Sequence, residues 1–166
     1  HPEPRTSLWA TFAEIPGLVA GDQVYARFIV ARCVLALATL GIGFVVVDGL
    51  NSGVLRPSDA ALLAAVFILS QAMLGFGLSI LGNYFGWKIV VILGGVFIIL
   101  GMLGGVAGGS LPIYIAAFVA LGGANAVTIV GDPNMSIELA PTARTSLYLG
   151  TTSTVLAPFF ILGPLL

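Results

Sequence analysis

After Lys88 the chain reads Ile89-Val90-Val91-Ile92-Leu93-Gly94-Gly95-Val96-Phe97-Ile98-Ile99-Leu100-Gly101-Met102-Leu103. It breaks at Gly104-Gly105-Val106-Ala107-Gly108-Gly109-Ser110-Leu111-Pro112, then turns apolar again until the next charge, Asp132. A helix crossing a bilayer takes roughly 20 apolar residues at about 1.5 Å each. This charge-free stretch therefore holds two crossings, over residues 89–108 and 112–130. The glycine cluster punctuates them, and Pro112 suits the first turn of a helix. Outward from this pair, no charge falls between Arg32 and Asp48, between Asp59 and Lys88, or after Arg144. Those gaps place three more helices, over 28–50, 60–82 and 146–166. The predicted fold is all-α, a polytopic membrane bundle of about five helices. A membrane β-barrel would need segments of about ten residues with alternating polarity, and they are absent.

Composition supports the same class. Hydrophobic residues make up 58% of the 166 residues and charged residues 8%, against about 25% charge in a soluble domain. Disorder needs the opposite balance. Six Lys+Arg against seven Asp+Glu give no basic field for nucleic acid. A single cysteine rules out an internal disulfide framework and a Cys-based zinc site, and no metal or cofactor is expected. Nor is an enzyme: His1 stands alone at the start, and no carboxylate pair shares a depth. Cys33 reads as a small apolar filler beside Arg32. The chain starts on His and stops in the apolar run Gly163-Pro164-Leu165-Leu166, which reads as a piece of a longer protein.

Lys and Arg set the expected orientation. With the start inside, Arg5, Arg27, Lys88 and Arg144 are cytoplasmic, Arg32 is near that face and snorkels to it, with an anion contact as the alternative, and only Arg56 is outside. The expected location is a cell (plasma) membrane. Residues 1–27 read as a cytoplasmic linker and 28–166 as the transmembrane part. In the linker, Leu8, Trp9, Phe12, Ile15 and Val19 recur at helical spacing, which predicts a short amphipathic helix ended or bent by Pro16-Gly17.

Polar groups at membrane depth need partners or a purpose. Thr39 falls near the middle of the first helix, Gln71 at the midpoint of the second, and Asn125 about 6 Å inside the midpoint of the fourth. Thr151 to Thr154 occupy the inner half of the fifth. The third helix has no comparable group. For the hydroxyls the plain reading is bonding to their own helix carbonyls. For the two amides it is glue between helices. The sharper reading is that Gln71, Asn125, Thr39 and Thr154 line a cavity and contact a solute. Ala64, Gln71, Gly75 and Gly82 share one face of the second helix, and Gly94, Gly101 and Gly105 form a small-residue stripe on the third. No acidic residue is expected at depth. Asp48 and Asp59 are placed in solvent around the outer loop.

Two loops carry a resemblance. Gly82-Asn83-Tyr84-Phe85-Gly86-Trp87-Lys88 is similar to the Asp-Arg-x-Gly-Arg-Arg/Lys loop of the major facilitator superfamily. Asn83 stands at the Asp, Gly86 at the Gly and Lys88 at the last basic residue, while Tyr84 and Trp87 depart from the pattern. Glu138-Leu139-Ala140-Pro141-Thr142-Ala143-Arg144 resembles the stretch that leads into an odd-numbered helix in many such transporters. The resemblance implies a secondary transporter that moves a small solute by alternating access between two six-helix halves. It implies helices seven to eleven, with the other half of the same transporter as partner alongside the bilayer. A first-half reading is kept by Gly150, Gly163 and Pro164, which hold part of an antiporter spacing. It implies that the helices carrying Thr39, Gln71, Asn125 and Thr154 line the cavity and that the third lies outside. A largely neutral or amphiphilic substrate suits that lining. The alternative is a membrane scaffold or binding protein whose polar residues only join helices. Glu138 is expected just before the fifth helix, favouring its N-terminus.

Overall fold

The structure, a computed structural model, describes residue 15 and residues 17–162. Most of the expected amphipathic head, including Leu8, Trp9 and Phe12, and the last four residues of the expected fifth helix lie outside the described residues. The described chain is helical from end to end. The elements are α1 (Gln23–Asn51), α2 (Pro57–Phe85), α3 (Trp87–Ala107), α4 (Leu111–Ala126), α5 (Asp132–Leu139) and α6 (Thr145–Leu162). A five-residue π turn, Val127–Gly131, joins α4 to α5 without a break.

Four spans are long and apolar enough to cross a membrane: α1, α2, α3 and the continuous Leu111–Leu139. The protein is a multi-pass helical membrane bundle. The fifth expected crossing corresponds to α6, whose described part is 18 residues long.

Each start has a local cause. Asp22 caps α1, its Oδ1 accepting from the amides of Val24 and Tyr25 at 3.0 Å. Pro57 opens α2, and the Asp59 carboxylate accepts from the Arg56 amide at 2.8 Å. Asp59 is thus a capping group and not simply a solvated charge. Gly86 alone joins α2 to α3, at φ +87, a conformation that side chains other than glycine's rarely adopt.

The largest departure from the sequence reading is the fourth helix, which continues nine residues past Val130. Pro133 is the physical reason for the π turn. In a regular α-helix its ring would collide with the carbonyl of Ile129. Widening residues 127–131 removes the clash, and Asn134 Nδ2 donates to the Val130 carbonyl at 2.7 Å. The chain therefore stays helical to Leu139.

α4 is the central element and packs chiefly against α2 and α3, while α1 rests on α3 and α6. Val45, Leu55, Leu63, Tyr114, Phe118 and Leu121 pack one end of the bundle. Tyr25, Phe28, Ile29, Met135 and Tyr148 pack the other. Along the expected glycine stripe on α3 the neighbouring helices come close. A Cβ would lie 2.8 Å from Val127 at Gly94, 2.5 Å from Leu121 at Gly101 and 2.6 Å from Val45 at Gly105. The stripe expected on α2 divides: Gly75 and Gly82 are buried and Ala64 is exposed.

Candidate functional site

The N-terminal part of α1 passes between α5 and α6 and carries two polar side chains into the protein. Tyr25 is fully buried, its hydroxyl 2.8 Å from both the Tyr148 carbonyl oxygen and Thr152 Oγ1. Thr152 Oγ1 lies 3.0 Å from Ser136 Oγ and donates to the Tyr148 carbonyl at 3.0 Å. The Tyr148 hydroxyl donates to Asp22 Oδ2 at 2.9 Å. The Tyr25 and Tyr148 rings lie 4.4 Å apart. This chain of hydroxyls ties α1, α5 and α6 together at one end. Asp22 lies before the first span, and the Tyr25 amide holds its carboxyl below the usual carboxylate range. Burial works against that shift, and the Tyr148 hydroxyl and Val24 amide add to it.

Two turns further along α1, Arg32 is 3% exposed and Asp132 on α5 is 4% exposed. Arg32 Nη2 lies 2.6 Å from Asp132 Oδ2 and donates to Thr128 Oγ1 at 2.8 Å. Measured from the middles of their spans, Arg32 is about 7 Å and Asp132 about 10 Å off centre at 1.5 Å per residue. Both fall inside a hydrocarbon layer about 30 Å thick. This corrects two expectations. Arg32 does not snorkel to a surface, and an acidic residue does sit at depth. Each charge makes the burial of the other tolerable. Two ions can leave water together where either alone would cost several kcal/mol. Outside the ion contact itself, two buried atoms of the pair have no hydrogen-bond partner among the described residues, Arg32 Nε and Asp132 Oδ1.

Asp132 also forms part of the wall of a cavity of about 380 Å³ between α5 and α6. The rest of the wall includes Thr128, Ser136, Thr152 and Ser153, with Leu156 and Ala157 on its apolar side. That volume is within the range of small-molecule pockets.

The residues proposed from sequence fall in several places. Asn125 Nδ2 donates to Gln71 Oε1 at 2.8 Å, across α4 and α2. With the span running Leu111–Leu139, both amides lie at helix midpoints. Gln71 lines a separate cavity of about 280 Å³ with Gly75, Ser79 and Val130. Thr39 donates to the Ala36 carbonyl of its own helix at 2.6 Å. Neither Thr39 nor Thr154 lines either of these two cavities. The four are not gathered around one space.

Of the loop residues, Asn83 and Lys88 lie at the two sides of the α2–α3 turn that Gly86 makes, and both are exposed. Arg144 ends a short 3-10 turn, Thr142–Arg144. Glu138 is placed differently from the expectation. It belongs to the last turn of α5, and its Oε2 accepts from the Trp87 amide at 3.2 Å. It therefore serves the N-terminus of α3, where an anion is favoured by the helix dipole. The two loop segments singled out in the sequence touch here.

The sequence reading missed the Arg32–Asp132 pair and the tyrosine network. For the pair a signal existed. Arg32 lay one to two turns inside the first expected helix and Asp132 two residues past the end of the fourth, both toward the expected cytoplasmic side. For the network there was none, because its members lie far apart in sequence and are ordinary residue types. No family model, curated protein or solved structure matches this chain.

Proposed function

We propose that this chain forms part of a secondary transporter that moves a small solute across a cell membrane by alternating access, with its N-terminal end cytoplasmic. The observation that carries this reading is the buried Arg32–Asp132 pair at membrane depth, whose Asp132 lines the 380 Å³ cavity. Ionisable groups inside a bilayer are expensive, so they mark pathways and sites more often than plain packing. The two loops similar to the major facilitator superfamily support the same reading, and they bring with them a second six-helix half as partner. The Lys/Arg distribution supports the orientation. The test is flux. The complete gene product in liposomes should move at least one small solute above empty liposomes, and Ala157→Phe, which adds bulk to the cavity wall, should lower that flux about tenfold or more. Flux equal to empty liposomes across neutral, cationic and anionic solutes would remove the proposal.

A second reading has its own observation. The Asn125–Gln71 bond has the form of interhelical glue, which favours a scaffold role for those two residues. Gln71→Leu separates the readings. As glue, Gln71 should cost about 0.6 to 2 kcal/mol of stability when lost and leave the transport KM unchanged. As a solute contact, its loss should raise KM about tenfold with little change in melting.

A further inference from the structure

A groove of about 250 Å³ runs between α1 and α3. Gly41, Phe44, Val45 and Asp48, at helical spacing, form its α1 side, and Met102, Gly105 and Val106 form its α3 side. Val45 is buried, while Phe44 is 56% and Val106 83% exposed, so a covered floor lies between two standing rims. Glycine keeps the groove hollow and the helices close. A Cβ would lie 3.3 Å from Met102 Cε at Gly41 and 2.6 Å from Val45 Cγ1 at Gly105. Counted from the middle of α1 at about 1.5 Å per residue, Gly41 lies about 6 Å and Asp48 about 16 Å toward the end of the helix. Half of a hydrocarbon layer is about 15 Å. The apolar length of the groove therefore falls inside the hydrocarbon, and the carboxylate at its mouth stands at the level of the lipid headgroups.

Asp48 is exposed and forms no ion pair among the described residues. It stands in the last turn of α1, which has no basic residue. The helix dipole is negative at that end and favours a cation there. Carboxylate and dipole add, so the mouth of the groove attracts positive charge from two sources. A phospholipid with a primary amine supplies both complements in one molecule, an acyl chain for the hollow and an ammonium for the carboxylate. The ammonium also donates a charge-assisted hydrogen bond. Phosphatidylcholine carries the same chains and the same net charge, but its quaternary ammonium has no N–H to give. A net anionic headgroup such as phosphatidylglycerol meets repulsion at Asp48.

We propose that this groove is a lipid site selective for phosphatidylethanolamine, with an acyl chain along Val45 and Gly105 and the ammonium donating to Asp48. It needs only a bundle embedded in a membrane and stands apart from the transport reading. The test is native mass spectrometry of the delipidated complete gene product, titrated with dioleoyl phosphatidylethanolamine, phosphatidylcholine and phosphatidylglycerol. The ethanolamine lipid should bind about five- to tenfold tighter than the choline lipid, and the glycerol lipid no tighter than the choline lipid. Asp48→Asn, an exposed and nearly isosteric change that the fold does not lean on, should bring the ethanolamine and choline lipids within about twofold of each other. Gly41→Leu, which fills the hollow against the flexible end of Met102, should weaken both about threefold or more. The proposal is overturned by equal binding of the ethanolamine and choline lipids to the parent protein, or by a preference that survives in Asp48→Asn. It is equally overturned if neither lipid binds, the result expected where a further helix of the protein covers the groove.

Discussion

Arg32 and Asp132 are worth more together than apart. Removing one leaves the other as an unpaired charge in a bilayer-embedded core, and such losses cost about 3–5 kcal/mol. Asp132→Leu alone should therefore melt far below the parent protein in detergent. The double variant Arg32→Met with Asp132→Leu removes both ions and should regain most of that loss. A double-mutant cycle by thermal unfolding checks it, and additive losses would mean the pair is not coupled. Asp22 offers a gentler case. Its carboxyl titrates below the ordinary 3.8 because it accepts from the Tyr25 amide before all else. A depressed value in the folded state means the contribution is complete above the unfolded value and drains away as pH falls through the folded one. Asp22→Asn keeps a capping oxygen and cannot ionise. Melting temperatures of the two proteins should be close at neutral pH and converge further, or cross, below about pH 4, where the aspartate loses its advantage. A constant gap across the acid range would show that Asp22 stabilises by capping alone.

Helix contacts in this bundle depend on how near two backbones come. Gly122 on α4 is the closest approach to α2. A Cβ there would collide with Ser70 Oγ and lie 2.6 Å from the Phe67 carbonyl oxygen, and a backbone atom cannot swing aside. Gly77, also on α2, has nothing within 4 Å of a Cβ. Gly122→Ala should cost roughly 1–3 kcal/mol through overpacking, while Gly77→Ala should be neutral or stabilise by up to about 1 kcal/mol through helix propensity. Unfolding of the two variants in one detergent is the measurement, and equal effects would contradict the close α2–α4 contact. Element existence was legible because long charge-free runs have few other uses. The extent of the fourth helix was not. Asp132 read as the edge of the membrane, and a charge marks an edge only when it has no buried partner. The π turn that tolerates Pro133 leaves no pattern in composition. Gln71 and Asn125 were legible as costly amides at similar depth, and their bond follows from the same cost. That Thr39 turns back to its own helix was the plain expectation for a hydroxyl.

On the scale of the molecule, the exposed surface of the spans is apolar. Val30, Val34, Leu37 and Phe44 on α1, and Ile68, Met73 and Phe76 on α2, are exposed in numbers that water would not tolerate. Lipid or a further set of helices must cover them. Asn51, the last residue of α1 before the short loop to α2, and the exposed Asn83, in the last turn of α2, lie toward opposite ends of that span. Single cysteines at these positions, in a background with Cys33 replaced, should react with a membrane-impermeant thiol reagent from opposite sides, Asn51 from outside and Asn83 from inside. Reaction of both from one side would discard the orientation drawn from Lys and Arg.

The π turn has a consequence at the level of the gene. A π segment is an α-helix carrying one extra residue, so it rotates the downstream segment by about 100° relative to an unbroken helix. That rotation is part of how the carboxylate of α5 comes to face α1. Losing a single codon anywhere between 127 and 131 would restore a plain helix and swing Asp132 off Arg32 without altering either side chain. It would also press the Pro133 ring back on to the chain above it. The buried charges of this bundle are held together by the one extra residue that the π turn takes up, and the shortest in-frame deletion would undo the contact as surely as substituting either partner.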